Sequence, residues 1–209
     1  MLAKKFAIRF GVGASLYELN EVNDRFYGSF GNDLHISFGA AFFIIPNLSI
    51  DVNLLYLTEG ITIEETPIPC DFGGPCPELS SSGRRQTELL LPSLSIRYHV
   101  FSNKFGYFWG IGSALGLGGF QIEHWLINRE EAPVIVSNRK GEFAAHGLGY
   151  ILNTGFTYQI SRVISSVFEV GYRRMKTGEL KGGEQYFNVD EANLDFSGPF
   201  ISTGFEIRF

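Results

Sequence analysis

Ser202-Thr203-Gly204-Phe205-Glu206-Ile207-Arg208-Phe209, the last eight residues of the chain, alternate polar or small side chains with apolar ones up to the final carboxylate. Globular domains seldom end this way. In extended backbone, successive side chains point to opposite faces, so Phe205, Ile207 and Phe209 share one face while Gly204, Glu206 and Arg208 share the other. Such a strand suits a wall with lipid on one side and a polar lumen on the other.

Working back from this segment, the same period of two recurs seven more times. The segments lie near residues 5–18, 33–45, 48–61, 84–100, 105–122, 142–160, 163–176 and 192–209. In the first, Phe6, Ile8, Phe10 and Val12 oppose Arg9, Gly11, Gly13 and Ser15; in the fourth, Leu94, Ile96 and Tyr98 oppose Ser95, Arg97 and His99. The fifth sets Tyr107, Trp109 and Ile111 against a row of Gly110, Gly112, Gly116 and Gly118, which fits a crowded concave interior. In the last, Leu194, Phe196 and Phe200 fall out of step with Ile201, Thr203 and Phe205, and a bulge near Gly198-Pro199 is the expected cause. Turns near 46, 102 and 161 are tight, whereas 19–32, 62–83, 123–141 and 177–191 read as long polar loops. Short turns at one end, long loops at the other and an even strand count predict an all-β fold: an eight-stranded antiparallel up-and-down transmembrane β-barrel, one domain over residues 1–209.

Composition removes the main rivals. With 20 Phe, 9 Tyr and 25 Gly in 209 residues, no stretch approaches the roughly 18 uninterrupted apolar residues of a spanning helix. A net charge of −5 supplies no basic stripe for a phosphate backbone, so nucleic acid is not an expected partner. A soluble eight-stranded barrel of the lipocalin kind remains an alternative, because parity alone does not say which face is inside. Two features favour lipid outside. The less apolar face carries the glycines and charges of a small filled lumen, and aromatics gather near strand ends as interfacial girdles would. These are Phe42, Tyr98, Phe105, Tyr107, Tyr158 and Phe209 at the turn end, and Tyr17, Tyr56, Phe120, Phe143, Tyr172 and Phe196 at the loop end. Lys4 and Lys5 lead straight into a strand, so an exported form is expected to have lost its signal peptide already.

An eight-stranded barrel is only wide enough for its own side chains. Arg9, Asp51, Arg97, Glu169, Arg173, Glu206 and Arg208 all fall on the lumenal face and are expected to pair, since an isolated buried charge costs several kcal/mol. Glu206 beside Arg9 is the expected seam contact. The network either locks the barrel or gates small solutes. Cys70 and Cys76 flank a segment of prolines and glycines. A disulfide-closed loop is the reading for an oxidising compartment; two free thiols or half of a metal site are the alternatives, the last disfavoured by the lack of a second Cys pair. No cofactor or metal is expected. Among the loops, Trp125 with Phe120 and Ile122 reads as an apolar contact or as part of the upper girdle, and the acidic Asp190, Glu191 and Asp195 read as solvated charge, with a bridging divalent cation as the alternative.

Ser202, Gly204, Ile207 and Phe209 resemble the C-terminal assembly signal of bacterial outer-membrane β-barrels: polar, then Gly two positions on, then two apolar residues spaced by one, the last ending the chain. The whole chain resembles the small eight-stranded outer-membrane barrels of the OmpA/OmpX type. That resemblance implies residence in the bacterial outer membrane, contact with its lipids and lipopolysaccharide, and passage through the barrel-assembly machinery. It implies a structural or surface-binding role, with an extracellular or membrane-protein partner at the loops. A small-solute channel is the first alternative and a lipid A-modifying enzyme the second. His35 and Ser37 are similar to the His-x-Ser element of lipid A 3-O-deacylases, but Phe38-Gly39-Ala40 departs from the Asn-Ala-Gly that follows there. Parity also turns both inward, away from an acyl chain, and no carboxylate to orient the imidazole is identifiable. The chain is therefore not expected to be an enzyme. Nothing follows Phe209, so a peptidoglycan-tethering role is not expected either.

Overall fold

The computed structural model describes residues 5–17, 31–69, 75–128, 134–179, 181–182 and 193–209. All regular structure among them is β. Eight strands are β1 (Phe6–Tyr17), β2 (Gly31–Ile45), β3 (Leu48–Pro69), β4 (Pro75–Ser102), β5 (Phe105–Asn128), β6 (Val134–Gln159), β7 (Ile164–Glu179) and β10 (Gly198–Arg208). Two short pieces, β8 (Lys181–Gly182) and β9 (Asn193–Asp195), attach to β6 and β7. Each long strand pairs antiparallel with the next, and β10 pairs with both β7 and β1, so the sheet closes into an eight-stranded up-and-down barrel.

The closure follows from the end of the chain. Gly204 stands opposite Gly11, and Glu206 opposite Arg9. A Cβ on Gly204 would lie 2.7 Å from the Cα of Gly11 and against the Phe10 carbonyl, so only glycine permits this approach. Phe209 N donates to Phe6 O at 2.8 Å, tying the last residue to the first strand. The short turns behave as expected. Asn103 takes φ 53° between β4 and β5, a value asparagine tolerates, and Ser161 Oγ accepts from Ile164 N at 3.1 Å between β6 and β7.

The exterior is apolar in the middle. Phe10, Val12, Ile36, Val52, Leu94, Ile96, Ile111 and Phe205 are all exposed, on the face that alternation assigns to lipid. At the turn end, Phe42, Tyr98, Phe105, Tyr107, Tyr158 and Phe209 are exposed and form the girdle.

Three expectations are corrected. The segments 62–83 and 123–141 are largely strand: β3 and β4 stay paired from Leu48↔Tyr98 up to Pro69↔Pro75, and β5 and β6 up to Asn128↔Val134. Four strands therefore continue past the ring as a raised sheet, where the apolar–polar contrast fades. Next, there is no change of phase at Gly198-Pro199. Leu194 and Phe196 are buried inside the barrel, and Glu206 follows with the same parity. The one irregularity there lies on the facing strand, between Lys176 and Glu179. The apolar pattern shifts because the lumen changes chemistry, not because the backbone slips. Finally, Phe120, Phe143 and Phe196 are not girdle residues. All three are buried in the interior, while Tyr56 and Tyr172 do face outward. The side chain of Tyr17 lies outside the described residues, as do Cys70, Asp190, Glu191 and the side chain of Cys76.

Candidate functional site

The lumen is built from the odd positions of β1 to β4, β6 and β7, with the even positions of β5 and β10. It has two layers.

Near the turns, β1, β3, β4, β7 and β10 bring six of the expected charges together. Arg9 is bound on two sides: Nη1 to Asp51, and Nε to Glu206 Oε2 at 2.6 Å. Glu206 also accepts from Arg208. Arg97 Nε lies 3.0 Å from Asp51 Oδ2, and its Nη2 lies 3.0 Å from Glu169 Oε2. Asn153 Nδ2 donates to Glu169 Oε1 at 2.7 Å. Three guanidinium groups thus meet three carboxylates in one continuous chain, and Asp51 and Glu206 have no exposed side-chain surface. Arg173, the seventh, is buried higher in the barrel, where its Nε donates to the Phe196 carbonyl at 3.1 Å.

Beneath the ion pairs is a ring of aromatics that the sequence did not single out. His99 stacks on Phe101 at 5.7 Å, packs on Phe43 and Phe108, and its Nε2 is 2.9 Å from Ser49 Oγ. Ser49 Oγ in turn donates to Asp51 Oδ1 at 2.6 Å. Parity with Asp51 and Arg97 places Ser49 and His99 inside, which was the available signal. Below this, Phe43, Phe101, Lys104, Phe105, Arg162 and Arg208 line an open vestibule of about 700 Å³.

Toward the raised sheet the lumen is apolar. Leu57, Leu89, Leu91, Phe120, Phe143, Met175, Leu194 and Phe196 form one buried cluster across the bore. Leu194 N is held by Thr177 Oγ1 at 2.9 Å, and Phe196 N by Met175 O at 2.8 Å, so β9 and the residues after it press two side chains inward. Between the layers lies a small polar chamber of about 70 Å³ touched by His35, Asn53, Arg97, Asn153, Glu169 and Arg173.

His35 and Ser37 both face this interior, but His35 Nδ1 pairs with Ser15 Oγ at 3.1 Å rather than with Ser37. No carboxylate contacts that imidazole among the described hydrogen bonds, and both partners are buried away from the lipid face. Among the described residues no group of three or more His, Cys, Asp or Glu could hold a metal.

No family model matches the chain, and no curated protein does. Solved structures do. Over 98% of its length the chain is similar to Neisserial surface protein A, with 97% of that chain covered, 12% identity and a TM-score of 0.51. Over 99% it is similar to the outer membrane protein OprG from Pseudomonas aeruginosa, with 96% of that chain covered, 15% identity and a TM-score of 0.50. The fold is that of a small bacterial outer-membrane β-barrel. At these identities the likeness extends to the barrel and not to the roles of residues.

Proposed function

We propose that the chain sits in the bacterial outer membrane with its short turns toward the periplasm and works there as a surface-binding protein. The lumen is a structural lock, and the raised sheet is the part that meets partners. The observation that carries this reading is that β3 to β6 keep their pairing well past the ring. Among the described residues, the upper part of β3 from Thr58 onward pairs only with β4. Val134 to Glu142 of β6 likewise pair only with β5. A sheet edge of this kind offers a row of backbone donors and acceptors to an extended peptide, which can add as a further strand. Ser202, Gly204, Ile207 and Phe209 would serve the assembly machinery at the other end.

The test is truncation. Replacing residues 61–85 by an Asn-Gly turn shortens the hairpin to the ring. The shortened barrel is expected to keep heat-modifiable gel mobility, while cells displaying it lose the adhesion to protein-coated surfaces that the full chain confers. Unchanged adhesion would contradict the reading. A small-solute channel is favoured by the polar chamber alone, and it requires both the ion-pair layer and the apolar layer to open.

A further inference from the structure

On the outer wall, just above the apolar band, two adjacent rows of residues cross the barrel at the base of the raised sheet. In the lower row, Tyr56 faces Leu90, Leu90 faces Leu117, and Leu117 faces His146. In the upper row, Glu88 faces Gly119, Gly119 faces Ala144, and Ala144 faces Lys181. The row below them includes Leu115 and Leu148, the latter 80% exposed. The row above holds Gln86, Gln121 and Glu142. Chemistry therefore passes from hydrocarbon to charge within a few residues, which marks the membrane–water interface at this height.

At that level the wall is dented. Gly119 and Ala144 supply no bulk, and they leave a concavity of about 470 Å³ bounded by Tyr56, Leu90, Leu117, Glu88, His146 and Lys181. The two banks differ. Glu88 stands on β4, its Oε1 already taken by Gln86 Nε2 at 2.9 Å. On the far side, His146 on β6 is two strand spacings from Glu88's strand, about 10 Å, and Lys181 on β8 is three, about 14 Å. On β7, next to that bank, the outward Arg174 pairs with Tyr150, and the outward Lys176 follows it. Lys176 faces Asp195 on β9, so Lys181 and Arg174 carry the positive charge of this bank, and its foot at Leu148 is apolar and exposed.

We propose that this dent binds a phosphorylated glycolipid of the outer leaflet, with an acyl chain along Leu115, Leu117 and Leu148 and a phosphate between His146 and Lys181. A compact ammonium beside an imidazole is a fitting partner for a phosphate monoester, and a leucine strip is a fitting bed for its chain. The inference rests on the outer-membrane placement above but not on what the raised sheet binds.

The test uses the refolded full chain in detergent, with bisphosphorylated diglucosamine lipid as probe and retained lipid counted by native mass spectrometry. One tightly held lipid is expected. Its apparent affinity should fall by about tenfold in the double variant Lys181→Gln with His146→Gln, and by a similar factor for the dephosphorylated probe. Gly119→Trp should fill the dent and abolish retention. A Cβ at Gly119 meets nothing within 4 Å, so this variant is expected to fold. Ala144→Leu is the second filling variant, and Lys104→Gln, at the opposite mouth, is the control. Heat-modifiable mobility checks each barrel and would separately expose a failure of the membrane reading. Equal retention by the filled and unfilled barrels, or equal retention of the dephosphorylated lipid, would overturn the proposal.

Discussion

Glu206 shows how far a single residue could be read. Alternation placed it opposite Phe205 and Ile207, and it lies fully buried against Arg9 and Arg208. Removing its charge leaves the buried Arg9 and the partly exposed Arg208 with one acceptor fewer. Breaking a buried pair in this way costs about 3–5 kcal/mol. Glu206→Gln should therefore lower the unfolding free energy of the barrel, read from urea titration in lipid vesicles, by that amount, while the exposed Glu142→Gln should not move it measurably. Phe120 shows where reading failed. In the run Leu89-Leu90-Leu91 both faces are apolar, and Phe120 and Ile122 continue the glycine-row face with apolar side chains, so alternation assigns parity but not chemistry. Leu89, Leu91 and Phe120 are fully buried inside, whereas Leu90 is exposed outside. Truncating Phe120 to Ala should cost about 3–5 kcal/mol, the range for large aromatic cavities, in the same urea titration.

At the scale of elements, the strands in contact with lipid were legible and their continuations were not. From β1 to β3 the lipid requires apolar residues at every second position, so parity in the sequence follows parity in the wall. Above the ring that requirement lapses. Residues 62–83, rich in Ser, Gly and Pro, looked like a loop because the pairing that holds them strand-like comes from facing strands. The supposed bulge at Gly198-Pro199 came from the same cause, since Leu194 and Phe196 are apolar residues serving an apolar lumen. The seam β10–β1 yields a separate expectation. Gly204→Val would press its side chain against Phe10 and Gly11, so the ring should close slowly or not at all. The measure is the fraction reaching the heat-modifiable form during refolding, with Gly118→Ala as a tolerant comparison, where the nearest side-chain atom is 3.3 Å away.

For the whole molecule, the lumen is closed twice, by ion pairs toward the turns and by an apolar cluster toward the raised sheet. Opening one layer leaves the other, so the chain is expected to be electrically silent in planar bilayers, and Glu206→Gln or Phe196→Gly alone should leave it silent. The charge half of this arrangement was visible in the sequence as inward Arg, Asp and Glu. The apolar half was not, because leucine on a strand points to lipid or to lumen with equal ease. Both layers depend on which face of each strand meets lipid. The most direct measurement is a spin-label accessibility scan of residues 89–98 in lipid vesicles, one cysteine at a time on a Cys70→Ser, Cys76→Ser background. The expected result is high oxygen accessibility at Leu90, Leu94, Ile96 and Tyr98, with low accessibility to oxygen and to polar nickel reagents at Leu89, Leu91, Ser93, Ser95 and Arg97. Oxygen accessibility at Leu89 and Leu91 equal to that at Leu90 and Leu94, or the reverse alternation, would contradict the account.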